Sequence, residues 1–211
     1  MRRFGLLAIL GLALGLVFAA SASAAHHKHG HKHKHGHYKA SLRKKALAGK
    51  RHALRVLSAP NSACAGADDS NANAGLQESA MSCLINYARS QAGLGRLGEY
   101  GKLDTSSANK AGDILRCNQF SHEACGRDFT YWMRRSGYLN AKCWWVGENL
   151  AWGTGSLGSA RSIMQAWLHS PDHRANLLST NFSQFGLSLR VGGLSGNANA
   201  HVWVNEFGRH C

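Results

Sequence analysis

Residues 147–153 read Gly147-Glu148-Asn149-Leu150-Ala151-Trp152-Gly153, and residues 170–178 read Ser170-Pro171-Asp172-His173-Arg174-Ala175-Asn176-Leu177-Leu178. A third phrase, Phe120-Ser121-His122, precedes them, and Trp167 lies between them. Glu148, His122 and His173 are one carboxylate and two imidazoles from well-separated segments. Brought together by a fold, such a trio binds a divalent metal or moves a proton. Three roles fit it. Two neutral imidazoles and a carboxylate suit zinc with an open water position. A His–Glu pair serves as general base, the carboxylate orienting the ring. In the third role the trio is a buried hydrogen-bonded network that pins helices to a sheet, with Asn149 and Asn176 satisfying loop backbone. Trp144, Trp145, Trp152 and Trp167 are expected as core and cleft wall, because aromatics bury large areas.

Hydrophobic spacing around these phrases predicts alternating helices and strands. Leu76 to Ala92 carries Ala80, Met81, Leu84, Ile85 and Ala88 at helical spacing, with Gly93 past its end. Leu103 to Asn118 is a second helix, with Asp104 or Thr105 as N-cap and Ala108, Ala111, Ile114 and Leu115 on one face. Phe129 to Ser136 and Ser159 to Leu168 are further helices. Ser170-Pro171 starts another, with proline at its first position. Phe185 to Val191 and His201 to Phe207 alternate as strands, with a Gly/Asn/Ser turn region from Gly192 to Ala198 between them. Helices and a small sheet in one chain of this size predict a layered α/β arrangement, helices packed on the sheet.

The ends and bulk bound the rest. Met1-Arg2-Arg3, an apolar run from Phe4 to about Ala20 and the small residues Ala22-Ser23-Ala24 form a secretory signal pattern, with cleavage expected after Ala24 or Ala25. No second apolar run of spanning length follows, so no stable membrane span is expected after cleavage. The expected division is a signal peptide at 1–24, a His/Lys-rich arm at 25–58, a linker at 59–75 and a folded domain at 76–211. Cys64, Cys83, Cys117, Cys125, Cys143 and Cys211 fit an oxidising, extracellular or cell-envelope setting and are expected as disulfides of undetermined pairing. There is no Cys-x-x-Cys, which argues against redox catalysis and a zinc ribbon.

The net charge of +14 is not spread evenly. Between His26 and Arg55 stand ten Lys or Arg and no acid, whereas Ala59 to Cys211 holds 13 Lys or Arg against 11 Asp or Glu. Residues 26–37, HHKHGHKHKHGH, contain seven histidines and no apolar residue, so this arm cannot bury a core and is expected to be disordered. Its imidazoles could chelate zinc, copper or nickel, although the interleaved lysines oppose cation binding. The simpler expectation is a solvated polycation that grips anionic envelope polymers, more tightly as pH falls through the imidazole range near ~6.5. Nucleic acid is not an expected partner, since no groove-reading motif accompanies the charge.

Three familiar patterns fail in context. Gly153-Thr154-Gly155-Ser156-Leu157-Gly158 matches a dinucleotide-binding glycine pattern but is followed by helices, not by a parallel strand. His169 and His173 have zincin spacing, but Ser170-Pro171 breaks the helix between them and the zincin glutamate is missing. No Gly-x-Ser-x-Gly nucleophile elbow occurs.

The stretch from about Leu76 to Gly208 resembles the CAP superfamily of cysteine-rich secretory proteins, antigen 5 and plant pathogenesis-related proteins, also called the SCP domain, and looks most like its bacterial secreted branch. The matching text is Cys83-Leu84-Ile85-Asn86 with Arg89, Phe120-Ser121-His122, Gly137-Tyr138, the 147–153 run, Ala166-Trp167, the 170–178 run, Phe185-Gly186, and Trp203 with Phe207-Gly208. The resemblance implies a three-layer α–β–α sandwich with a cleft. In that family two His and two Glu line the cleft; the resemblance carries the first His onto His122, the first Glu onto Glu148 and the second His onto His173. The position of the second Glu is Ser170 here, leaving Glu123 and Glu206 as candidates to replace it in space. His122, Glu148, Asn149, Ser170 and His173 are thus the expected cleft residues, with His122 and His173 the candidate metal ligands. The resemblance implies a lipid or sterol-like ligand, or a cell-envelope component, for a protein that binds rather than cuts. The alternatives are a metal-dependent, peptidase-like hydrolase using His122, Glu148 and His173 with an activated water, and an adhesion protein whose basic arm does most of the work.

Overall fold

A computed structural model of the chain describes residues 18–19, 23–28 and 54–211. Most of the expected signal segment and of the basic arm, its expected disorder and metal chelation included, lies outside the described residues.

The centre of the molecule is a mixed sheet. Its antiparallel body is β4 (Cys143–Thr154), β6 (Asn197–His210) and β5 (Gln184–Leu194), in that spatial order. The short β3 (Gly98–Glu99) runs parallel to β5 at one flank. At the other flank, β1 (Phe18–Ala19) and β2 (Ser23–Lys28) pair antiparallel with β4. The β5–β6 hairpin turns on Ser195 and Gly196, both at positive φ, which matches the right-handed strand twist. The sequence pattern spread this turn over residues 192–198. The strands run further because Gly192 packs against Leu115, and because backbone pairing is indifferent to the polar side chains there.

Helices cover both faces. They are α1 (Leu54–Leu57), α2 (Ala74–Gln91), α3 (Gly101–Arg116), α4 (Tyr131–Arg135), α5 (Ala160–His169) and α6 (Pro171–Leu177). On one face Met81, Leu84 and Ile85 of α2 and Ile163 and Trp167 of α5 pack on Ala151, Phe185, Leu187, Trp203 and Phe207. On the other, Ala111 and Ile114 of α3 meet Leu150, Trp152, Val202 and Val204, while Leu103, Met133 and Tyr138 close over Val146. This is the expected three-layer α–β–α sandwich.

Local chemistry sets the helix ends. Asn73 caps α2 by accepting from the Leu76 amide, and Ser159 caps α5 by accepting from that of Ser162. Helix α3 starts earlier than its sequence suggested, at Gly101 with Tyr100 in the cap position. Asp104 is not the cap; its carboxylate accepts the Leu187 amide at 3.1 Å and so ties α3 to β5. Ser170 is extended, and this separates α5 from α6 and His169 from His173. Of the dinucleotide-like glycines, Gly153 and Gly158 are packing residues, and Gly155 is a turn residue at positive φ. A β-carbon on Gly153 would lie 2.4 Å from the Leu157 carbonyl oxygen, where the end of β4 folds onto the next turn.

Several of the phrases quoted above are structural ties. Asn86 exchanges two hydrogen bonds with the Leu97 backbone. Arg89, buried at 3 % exposure, donates to the carbonyls of Gly95, Leu177 and Ser179. Burial lowers its pKa only to about 10, so it remains charged at neutral pH. Three disulfides, Cys64–Cys83, Cys117–Cys125 and Cys143–Cys211, use all six cysteines. Residues at the start of the expected linker pack on the core: Ala59 and Ala67 are buried, and Arg161 donates to the Ala59 carbonyl at 2.7 Å while pairing with Asp68. Among the described residues no helix is long and apolar enough to cross a membrane.

Candidate functional site

Alternation along β4 sends Val146, Glu148, Leu150 and Trp152 toward α3, and Asn149 and Ala151 toward α5 and α6. The two polar residues at the centre of the quoted run therefore serve opposite layers.

On the α3 face, Glu148 is fully buried, and its Oε1 lies 2.6 Å from His122 Nδ1. Lys110 Nζ stands 3.8 Å from the same oxygen. The Lys110 ammonium also donates to the His122 carbonyl, so one side chain both balances Glu148 and holds the loop that carries the histidine. His122 is 19 % exposed, whereas Lys110 and Glu148 are sealed beneath it. Glu206 faces Glu148 directly across the β4–β6 ladder and is likewise fully buried. Burial, and then the neighbouring Glu148, push the Glu206 carboxyl well above the usual carboxylate range, against the lowering influence of the Ser106 hydroxyl and Lys110. Two carboxyls side by side in dry surroundings cannot both ionise at ordinary cost, and Glu206 is the one that keeps its proton.

On the opposite face, the Asn149 amide donates to the His173 carbonyl at 3.0 Å. Asn176 donates to Asn149 Oδ1 at 3.0 Å and to the Glu148 carbonyl at 3.3 Å, which fastens α6 to β4. His173 is 1 % exposed, and its Nδ1 is 2.7 Å from Ser170 Oγ. Ser170, at the position where the resemblance puts a second glutamate, thus engages the His173 ring. Of the two candidate replacements, Glu123 is exposed on its loop, and Glu206 is the one beside Glu148.

The structure therefore joins His122 to Glu148, and joins His173 to Ser170 and, through Asn149, to the same strand. Among the described residues no group of three or more His, Cys, Asp or Glu is placed to hold a metal ion. Nδ1 of His122 is engaged by Glu148 and Nδ1 of His173 by Ser170. What the arrangement can do is present a partly exposed imidazole, oriented from behind by a carboxylate, to a polar group arriving from outside. Trp144, Val146, Leu150 and Trp152 flank that point along the same face of β4.

Sequence reasoning passed over Lys110 and Ser106. The signal was present: Lys110 lies on the stripe Leu103, Ser107, Lys110, Ile114, the buried side of α3. A lysine on the apolar side of an amphipathic helix needs an acid, and two lie opposite.

The protonated Glu206 gives a pH-dependent expectation. Its folded value is raised above 4.5, so the folded state holds a proton that the unfolded state releases. Stability from this group is present below pH 4.5 and is lost as pH rises through the raised value. Glu206→Gln cannot release a proton. Its unfolding midpoint relative to the parent is expected to be constant in acid and to climb above pH 4.5, measured by thermal melts from about pH 4 to about pH 8. A flat difference across that range would show that Glu206 titrates normally.

The family model described as the cysteine-rich secretory protein family matches residues 84–207. The Bacillus subtilis protein YkwD is 27% identical over 124 residues, which are 59% of this chain and 44% of that protein. Among solved structures, an extracellular SCP-domain protein from Bacillus anthracis superposes with a TM-score of 0.51 at 22% identity, covering 64% of this chain and 40% of that one. An outer surface protein of Borrelia burgdorferi also gives 0.51, at 20% identity, covering 62% of this chain and 90% of that one. The chain spans less than half the length of both Bacillus relatives.

Proposed function

The chain belongs to the cysteine-rich secretory protein family, and on that premise we propose that it is an extracellular binding module in which His122, oriented by Glu148, meets the polar head of an apolar ligand of lipid or sterol-like class. Three disulfides support the extracellular setting, as do relatives described as an extracellular protein and an outer surface protein. One observation carries the ligand reading. His122, 19 % exposed and held from behind by the buried Glu148, is a polar point at the margin of the apolar layer that β4 and α3 form. An oriented polar group beside apolar surface is how proteins fix the head of an amphipathic small molecule. The ten cations between His26 and Arg55 support retention on anionic envelope polymers, a retention that falls as salt rises.

The test is titration of the protein with a fluorescent sterol and a fluorescent fatty acid, read as energy transfer from tryptophan. Saturable binding is expected, weakened about tenfold in His122→Ala through loss of one oriented hydrogen bond. No saturation with either probe sinks the reading. Turnover of a peptide library that depends on Glu148 would establish the hydrolase alternative in its place.

A further inference from the structure

Helix α3 carries a second charged centre at Asp113, which is 2 % exposed. Its carboxylate is saturated with donors. Arg127 Nη1 donates to both oxygens, at 2.8 and 2.6 Å, Trp132 Nε1 donates at 2.7 Å, and Arg116 donates from the same helix. One carboxylate thus holds two guanidiniums and an indole. Arg127 is fixed further by the rings of Tyr131 and Trp132, whose centroids lie 4.9 and 5.0 Å from its guanidinium carbon. Another guanidinium comes from β5: Arg190 Nε donates to the Ala108 carbonyl at 2.8 Å, which anchors that side chain on α3. These groups line a hollow of about 350 Å³. Ala108 and Gly112, one helical turn apart, leave it open because they carry no bulk. A β-carbon on Gly112 would meet only Arg190 Nε, at 4.0 Å.

The charges lining the hollow do not balance. Arg116, Arg127 and Arg190 bring three positive charges against the one negative charge of Asp113, an excess of two. Glu78, whose carboxyl feels Arg190, accepts the Leu189 amide and does not line the hollow. Fastening the arginines takes Nη1 of Arg127, Nη2 of Arg116 and Nε of Arg190. Among the described residues, Nη2 of Arg127, Nη1 of Arg116 and both terminal nitrogens of Arg190 have no acceptor. Guanidiniums held at one nitrogen, with others left over, suit the paired oxygens of an oxyanion. We propose that this hollow between α3, α4 and β5 binds a phosphate group, free or carried by a small molecule, whose two charges match the excess. The volume lies at the low end for small-molecule sites and leaves room beyond the phosphoryl group. None of the lining residues belongs to the His122–Glu148 pair, so binding here does not depend on the apolar-ligand reading.

The Trp132 indole N–H, followed in nitrogen–proton correlation spectra of the full chain, tests this. A local signal is needed because the ten cations between His26 and Arg55 also attract phosphate. Inorganic phosphate and glycerol phosphate are each added at about pH 8, above a second phosphate ionisation at about 6, with ionic strength held constant by sodium chloride. A saturable displacement of the Trp132 signal is expected. Tighter binding of glycerol phosphate identifies an ester as the ligand, and equal or weaker binding identifies free phosphate. Arg190→Gln is expected to raise the half-saturation concentration about tenfold, the effect of losing one charge-assisted hydrogen bond. Gly112→Leu fills the hollow without altering any charge, favours the helix, and is expected to weaken binding at least as much. The remaining resonances report whether each variant is folded. The proposal is overturned if the Trp132 signal stays still or moves without saturating, if sodium chloride alone moves it as far, or if either variant binds phosphate as tightly as the parent.

Discussion

Lys110→Met is expected to destabilise the fold by about 3–5 kcal/mol, the range for removing one partner of a buried ion pair. Lys110 and Glu148 are 2% and 0% exposed. Water cannot replace the ammonium there, and the second acid at the position, Glu206, is pushed well above the usual carboxylate range by burial and then by Glu148. The substitution also frees the His122 carbonyl from its tie to α3. The double variant Lys110→Met, Glu148→Gln separates the two effects. If the uncompensated carboxylate carries the loss, the double variant recovers most of it, since a neutral pair of similar volume is tolerated where half an ion pair is not. Urea denaturation of the parent, the single and the double variants measures this. A single variant within about 0.5 kcal/mol of the parent would place Lys110 among ordinary surface lysines.

Gly186→Ala is the second large effect. A β-carbon there would come within 2.2 Å of the Leu103 carbonyl carbon and 2.3 Å of the Asp104 nitrogen. Both are backbone atoms of α3, so no side chain can swing aside and the whole helix must lift from β5. Lifting it strains the Ser107 hydroxyl bond to the Gly186 carbonyl and the Asp104 bond to the Leu187 amide. It also moves α3, and with it Lys110 and Ser106, away from the two buried glutamates. Overpacking against backbone is expected to cost about 3 kcal/mol or more. Gly193→Ala is the control, because nothing lies within 4 Å of the added carbon. Thermal melts that moved equally for both substitutions would remove the claim that α3 is seated on a bare strand.

The layered fold was legible because helices α2, α3 and α5 carry a clear apolar stripe and β6 alternates. Strand β4 was not legible as a strand. It is covered on both faces, so Glu148 and Asn149 are both fully buried and no hydrophobic alternation marks either side. His122, Glu148 and His173 stood out as candidates from the order and spacing of their phrases. Their partners were not. Glu206 opposes Glu148 only through a strand register that no local pattern encodes, and Ser170 reaches the His173 ring only because the chain bends between α5 and α6.

The sealed Glu206 has a calorimetric consequence. Between its unfolded and its raised folded value, each molecule that folds draws a proton from the buffer, and each that melts returns it. The heat of unfolding in that interval must therefore vary with the ionisation enthalpy of the buffer chosen, and the slope of that variation counts the protons exchanged.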